Sequence, residues 1–166
     1  SVWRAQVLSM IQGDEELHAA EILWDVRKCY DNVKHSELKG QATQQGYPMP
    51  ILRVSLSRYR WGRSILNEHD MLADSLFPRA GIVADSSLAT FEIAVLMQKV
   101  LRDLTPTHKI GLSLHIDDLS VSMTRPTVEL LAVDLAKAAA AVKHALEVVL
   151  SLPIAEENSQ LLGSSK

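Results

Sequence analysis

Ile22-Leu23-Trp24-Asp25-Val26-Arg27-Lys28-Cys29-Tyr30-Asp31 and Leu112-Ser113-Leu114-His115-Ile116-Asp117-Asp118-Leu119-Ser120-Val121 are the two stretches that decide the fold. In each, an apolar run of strand type ends on an acid. A carboxylate at the end of a buried strand loses solvation, and this costs free energy unless a positive group compensates. Two such strands side by side would gather three or more carboxylate oxygens at one point. Oxygen donors of this kind suit Mg²⁺ or Mn²⁺, and a two-metal site serves in-line displacement at phosphorus.

Outward from these stretches, the pattern predicts helices alternating with strands. Residues 2–19 carry apolar positions at helical spacing (Val2, Ala5, Leu8, Ile11), with a break at Gly13-Asp14. Residues 21–26 read as a strand. Residues 35–45 read as a short helix stopped by Gly46 and Pro48, and residues 50–60 as a second helix. Residues 63–66 and 74–79 suit two short strands around the polar turn Asn67-Glu68-His69-Asp70. Residues 86–104 form an apolar helix ended by Pro106. Strands over 109–116 and 119–123 flank Asp117-Asp118 at a hairpin tip. Pro126 opens the longest helix, to about Leu150, with Val128, Leu131, Leu135, Ala138, Val142, Ala145 and Val149 on one face. Residues 159–163 make a last strand. The expected fold class is α+β: a small, mainly antiparallel, ferredoxin-like sheet with helices packed on one face.

Composition sets broad bounds. The 166 residues suffice for one domain with a real core, and 47% hydrophobic with 22% charged residues is ordinary for a globular chain. A net charge of −3 gives no global basic signal for nucleic acid, but Arg53, Arg58, Arg60 and Arg63 cluster around Tyr59 and Trp61. That cluster reads either as a nucleic-acid contact or as a solvated helix face. Cys29 is the only cysteine, which excludes an internal disulfide and a Cys-based zinc site and suits a reducing, intracellular compartment. No apolar run is long enough to span a bilayer, so no membrane role is expected. The chain starts at Ser1, and we read it as a piece of something longer.

The motifs together resemble the palm of a reverse transcriptase, most closely that of non-LTR-retrotransposon-like elements. Asp25, with Asp31 after the aromatic Tyr30, is similar to the first palm motif. Gly81-Ile82-Val83-Ala84-Asp85-Ser86-Ser87-Leu88-Ala89-Thr90 aligns with the second. His115-Ile116-Asp117-Asp118 sits where the family has aromatic-x-Asp-Asp, and Leu161-Leu162-Gly163-Ser164 resembles the strand after the fourth motif. The resemblance implies a single reverse transcriptase domain over 1–166, with a fingers-like part at roughly 41–79 and with upstream fingers and thumb outside these residues. It implies RNA-templated DNA synthesis by two-metal nucleotidyl transfer, with an RNA template, a DNA primer and dNTP as partners. Asp25 and Asp117 would bind Mg²⁺ or Mn²⁺, with Asp118 assisting. The backbone of Arg27, Lys28 and Cys29 would lie along the triphosphate, Tyr30 would press on the sugar, and the Gly81–Ser87 segment, with Ala84 and Asp85, would support the nascent pair.

The chain departs from the family pattern. Ala84 replaces a Gln, Asp85 a Gly, Ser87 a Pro and His115 a Tyr; a Gly at 85 would permit a conformation or approach that a side chain spoils. Glu156-Glu157-Asn158-Ser159-Gln160 is acidic where the family carries a lysine. Two other classes therefore stay open: a catalytically inactive remnant acting as a nucleic-acid-binding or interaction module, and an unrelated metal-dependent phosphohydrolase. Asp117-Asp118 also suits a bare turn. Cys29 reads as a small packed residue, Tyr30 suits core packing as well as a gate, and His115 reads as a partly buried strand residue.

Overall fold

The computed structural model describes residues 17–66, 72–115 and 118–163. Four strands, β1 (His18–Asp25), β2 (Gly111–His115), β3 (Asp118–Arg125) and β4 (Gln160–Gly163), form one sheet in the order β2-β3-β1-β4. All three pairings are antiparallel. The helices are α1 (Cys29–Asn32), α2 (His35–Gln44), α3 (Met49–Tyr59), α4 (Ala89–His108) and α5 (Val128–His144). Strand, helix, two strands, helix, strand in this sheet order is the ferredoxin-like plan, as the sequence predicts.

The alternation in β3 explains the two faces. Leu119, Val121 and Met123 are buried, while Asp118, Ser120 and Ser122 point the other way. A slip of one residue would bring the polar set into the core, so the register is strongly specified. α4 and α5 cover the apolar face. α5 buries Leu131, Leu135, Ala138 and Val142 along one stripe, and its first turn is capped by Thr127, whose side chain accepts from Leu130 N–H at 3.3 Å. α2 ends with Gly46 at φ 70° and a Tyr47 N–H to Ala42 carbonyl bond of 2.9 Å. This is a left-handed helix stop that glycine accommodates without strain.

Four expectations need correction. β1 starts at His18, so residues 18 and 19 belong to the sheet, and Leu17 before them is not helical; residues 2–16 of that expected helix lie outside the described residues. Strand pairing with Thr124 and Arg125 overrides the helical spacing there. α4 runs through Pro106 to His108 and stops at Lys109, with φ 50°. So near the helix end, a proline forfeits only one hydrogen bond. The long helix is α-helical only to His144. A π-helical turn (Ala145–Val149) follows, closed by Leu150 N–H to Ala145 carbonyl at 3.0 Å, and it directs Leu146 and Leu150 into the core. The two short strands around 67–70 are reduced to the bridges Arg63↔Leu76 and Leu66↔Leu72, and the turn itself lies outside the described residues.

Candidate functional site

β1 and β3 end together. Their register sets Asp25 directly opposite Asp118, and the β2–β3 register sets His115 opposite Asp118. All three sit on the sheet face that the helices leave open. Directly opposed residues place their Cβ atoms roughly 5 Å apart. A cavity of about 570 Å³ opens over this rung, lined by Asp25, Asp118, His115, Ser113, Ser120, Asn158 and Gln160, together with Glu21, Leu23 and Trp24 of β1. Asp118 and His115 are exposed; the expectation of a partly buried His115 fails because it is the last residue of an edge strand. Asp117 and Ile116 lie outside the described residues. Asp118 is the first residue of β3 rather than part of the hairpin tip.

Asp25 is gripped by the turn that precedes β4. Ala155 N–H donates to the Asp25 carbonyl at 2.8 Å, Asp25 N–H donates to Ser159 Oγ at 3.3 Å, and Asn158 Nδ2 donates to Asp25 Oδ2 at 2.7 Å. The two glutamates beside Asn158 are both engaged. Glu157 pairs with Arg27 at 2.7 Å, and Glu156 pairs with Lys143. The hydrogen bond from Lys143 holds the Glu156 carboxyl below its ordinary range and raises Lys143 in turn. The acidic stretch is therefore charge-balanced. Sequence reasoning missed Asn158; its only local signal is an Asn-Ser pair just before a strand, which marks a turn.

The first-motif residues form a tight corner after β1. Arg27 N–H donates to the Pro153 carbonyl at 2.8 Å and Asn32 Nδ2 donates to the Arg27 carbonyl at 2.8 Å. Lys28 adopts the left-handed region at φ 46° to start α1, Cys29 is buried, and Tyr30 is half-buried against the core. The second-motif segment is laced to this corner. Gly81 N–H donates to the Val33 carbonyl at 2.8 Å, Ile82 N–H to the Tyr30 carbonyl at 2.9 Å, and Lys34 bridges Ala80. Buried His35 braces the same point. Arg60 Nε donates to its Nδ1 at 3.3 Å, so Nε2 carries the proton and donates to the Gly81 carbonyl at 2.7 Å. Gly81 has φ 87°, and a Cβ there would stand 3.1 Å from the Asp31 carbonyl oxygen.

Ala84 and Asp85 occupy an exposed turn closed by Ser86 N–H to the Val83 carbonyl at 2.8 Å. Asp85 is absent from the described residues with positive φ, so its backbone needs no glycine. Arg53, Arg58, Arg60 and Arg63 are exposed on α3 and the segment after it, and none lines the cavity. Of the sequence-predicted site residues, the structure brings Asp25 and Asp118 together.

The donor chemistry fits a hard divalent cation in part. Two opposed carboxylates face an open cavity, and Oδ1 of Asp25 has no hydrogen-bond partner among the described residues. Among those residues, no group of three or more His, Cys, Asp or Glu side chains is close enough to hold a metal. No helix among them is long and apolar enough to cross a membrane.

No family model and no curated protein sequence matches the chain. Solved structures do match in fold. The apo telomerase of Candida tropicalis, truncated from its C-terminal domain, superposes with a TM-score of 0.67 at 15% identity, covering 98% of this chain and 35% of that one. The telomerase of Candida albicans, in complex with a TWJ fragment of telomeric RNA, gives a TM-score of 0.66 at 11% identity, covering 98% of this chain and 29% of that one. The chain thus spans about a third of the length of these neighbours, and what it shares with that part of a telomerase is the α+β fold.

Proposed function

We propose that this chain is the palm of a reverse-transcriptase-class polymerase, with residues 41–79 as its fingers-like part and an RNA template, a DNA primer and dNTP as its partners. The observation that carries this reading is the register that sets Asp25 against Asp118 beside an open cavity, in a fold shared with telomerases, which are reverse transcriptase relatives. Asp25, Asp118 and, from the sequence, Asp117 would hold Mg²⁺ or Mn²⁺. Such ions, when bound, neutralise charge on the transferring phosphoryl group and its attacking and leaving oxygens. The chain's own part is placement. β1 and β3 present the acids at one level, and the corner at Arg27–Tyr30 brings the Gly81 segment against Tyr30. A kinship to non-LTR retrotransposon elements rests on the motif order alone. An inactive, nucleic-acid-binding remnant is the second reading, favoured by the exposed Asp85 carboxylate in the second motif.

Two measurements test this. Mn²⁺ titration followed by the electron paramagnetic resonance of the free ion should show binding that Asp25→Asn and Asp118→Asn each remove. In a chimera with the fingers and thumb of an active reverse transcriptase, primer extension on an RNA template should depend on Asp25, Asp117 and Asp118. Mn²⁺ binding without extension selects the remnant. Extension that survives Asp25→Asn overturns the metal assignment, and the absence of both Mn²⁺ binding and extension ends the polymerase reading.

A further inference from the structure

We propose that Asn158 is a positioning residue for Asp25: its amide fixes the rotation of the carboxylate so that the other oxygen, Oδ1, is presented to a divalent cation. This rests on reading Asp25 and Asp118 as a cation site. Two of the three bonds from the Ala155–Ser159 turn hold only the Asp25 backbone, while the Asn158 bond of 2.7 Å holds the side chain itself. The terminal torsion of an aspartate is broad and two-fold, so a carboxylate at a strand end turns freely unless something engages one oxygen. Asp25 also faces Asp118, and like charges directly opposed repel. Left alone, the two carboxylates turn apart, which is the wrong arrangement for sharing a cation. A donor on Oδ2 opposes that rotation.

Asn suits this task in a way its neighbours do not. An ammonium in its place would compete with the cation, and another carboxylate would add repulsion. The amide supplies a donor with no charge. Glu156 and Glu157, the two residues just before it, are turned to Lys143 and Arg27, so Asn158 is the side chain of this trio that the turn aims at β1. Asn158 is exposed, and a single exposed hydrogen bond adds little to folding. Its effect belongs to the geometry of the ligand. Partners that hydrogen-bond a metal-binding carboxylate from behind set metal affinity by factors of roughly 10 to 100.

The test uses the 166-residue chain, with Mn²⁺ as the probe and the resonance of free Mn²⁺ as the readout, beside thermal melts of the metal-free protein. Asn158→Ala should lower Mn²⁺ affinity by about tenfold and leave the melting temperature within about 2 °C of wild type. Asn158→Gln, which keeps an amide donor, should restore most of the affinity. If Asp25→Asn removes Mn²⁺ binding but Asn158→Ala leaves it unchanged, Asn158 has no positioning role and the cation reading stands. If affinity falls only in step with melting temperature across both Asn158 variants, the role is structural and the proposal fails. If wild type binds no Mn²⁺, the cation reading and this inference fall together.

Discussion

Tyr59→Phe should cost this protein a sizeable part of its stability, although it removes a single oxygen. Tyr59 and Glu92 are both 0% exposed, on α3 and α4. The phenol donates to Glu92 Oε2 at 2.6 Å, and Glu92 Oε1 is buried with no hydrogen-bond partner among the described residues. Removing the hydroxyl leaves the whole carboxyl group unpartnered in the core. The lost hydrogen bond, together with the desolvation penalty of the buried polar atoms left behind, makes this a loss of about 2–3 kcal/mol. For a chain of this size it lowers the melting temperature by about 4–12 °C. Urea unfolding followed by circular dichroism at neutral pH measures it. Tyr59→Phe combined with Glu92→Leu should recover most of the loss, because replacing both partners with apolar groups removes the orphaned carboxyl. Burial, and next the hydrogen bond to Glu92, push the phenol up to about 12. The unfolded phenol titrates near 10, so the contribution is complete below about pH 10 and is lost as pH rises toward 12. The gap between wild type and Tyr59→Phe should close over that window. A Tyr59→Phe loss under about 0.5 kcal/mol, or a double variant no more stable than the single, would refute the buried-pair account.

Gly81→Ala should destabilise by about 2–3 kcal/mol, since the left-handed backbone alone costs roughly 1–2 kcal/mol with a Cβ and that Cβ would crowd the Asp31 carbonyl oxygen at 3.1 Å. Urea unfolding measures it, and a loss below about 0.5 kcal/mol would mean that the 80–82 segment is not laced to the corner at Tyr30. Arg125 Nε donates to Asp134 at 2.7 Å and holds that carboxyl below its ordinary range, so Arg125→Gln should return it toward that range in a carboxyl-carbon NMR titration. A depressed carboxyl contributes stability above its unfolded value and loses it as pH falls. Wild type should therefore lose more stability than Arg125→Gln on acidification, and equal losses would set the ion pair aside.

What the sequence determined by itself is local and periodic. The alternation Leu119, Val121, Met123 against Ser120 and Ser122 makes β3 a two-faced strand, and the stripe Leu131, Leu135, Ala138, Val142 makes α5 a helix with one buried side. Gly46 and Thr127 mark helix ends because a left-handed stop and a side-chain cap each need particular residue types. The acids at the strand ends were legible for the same reason: they interrupt an apolar run. Tertiary structure decided the rest. His18 and Ala19 joined the sheet because β3 offered them partners, which no window around them records. The opposition of Asp25 and Asp118 is a matter of register, set by which faces pack against α4 and α5. The bond from Asn158 to Asp25 spans 133 positions in sequence, and Tyr59 meets Glu92 across 33. Periodicity reports what a residue does relative to its own helix or strand. Which oxygen it meets depends on how separate elements dock, and that is settled only when the shared core closes between them.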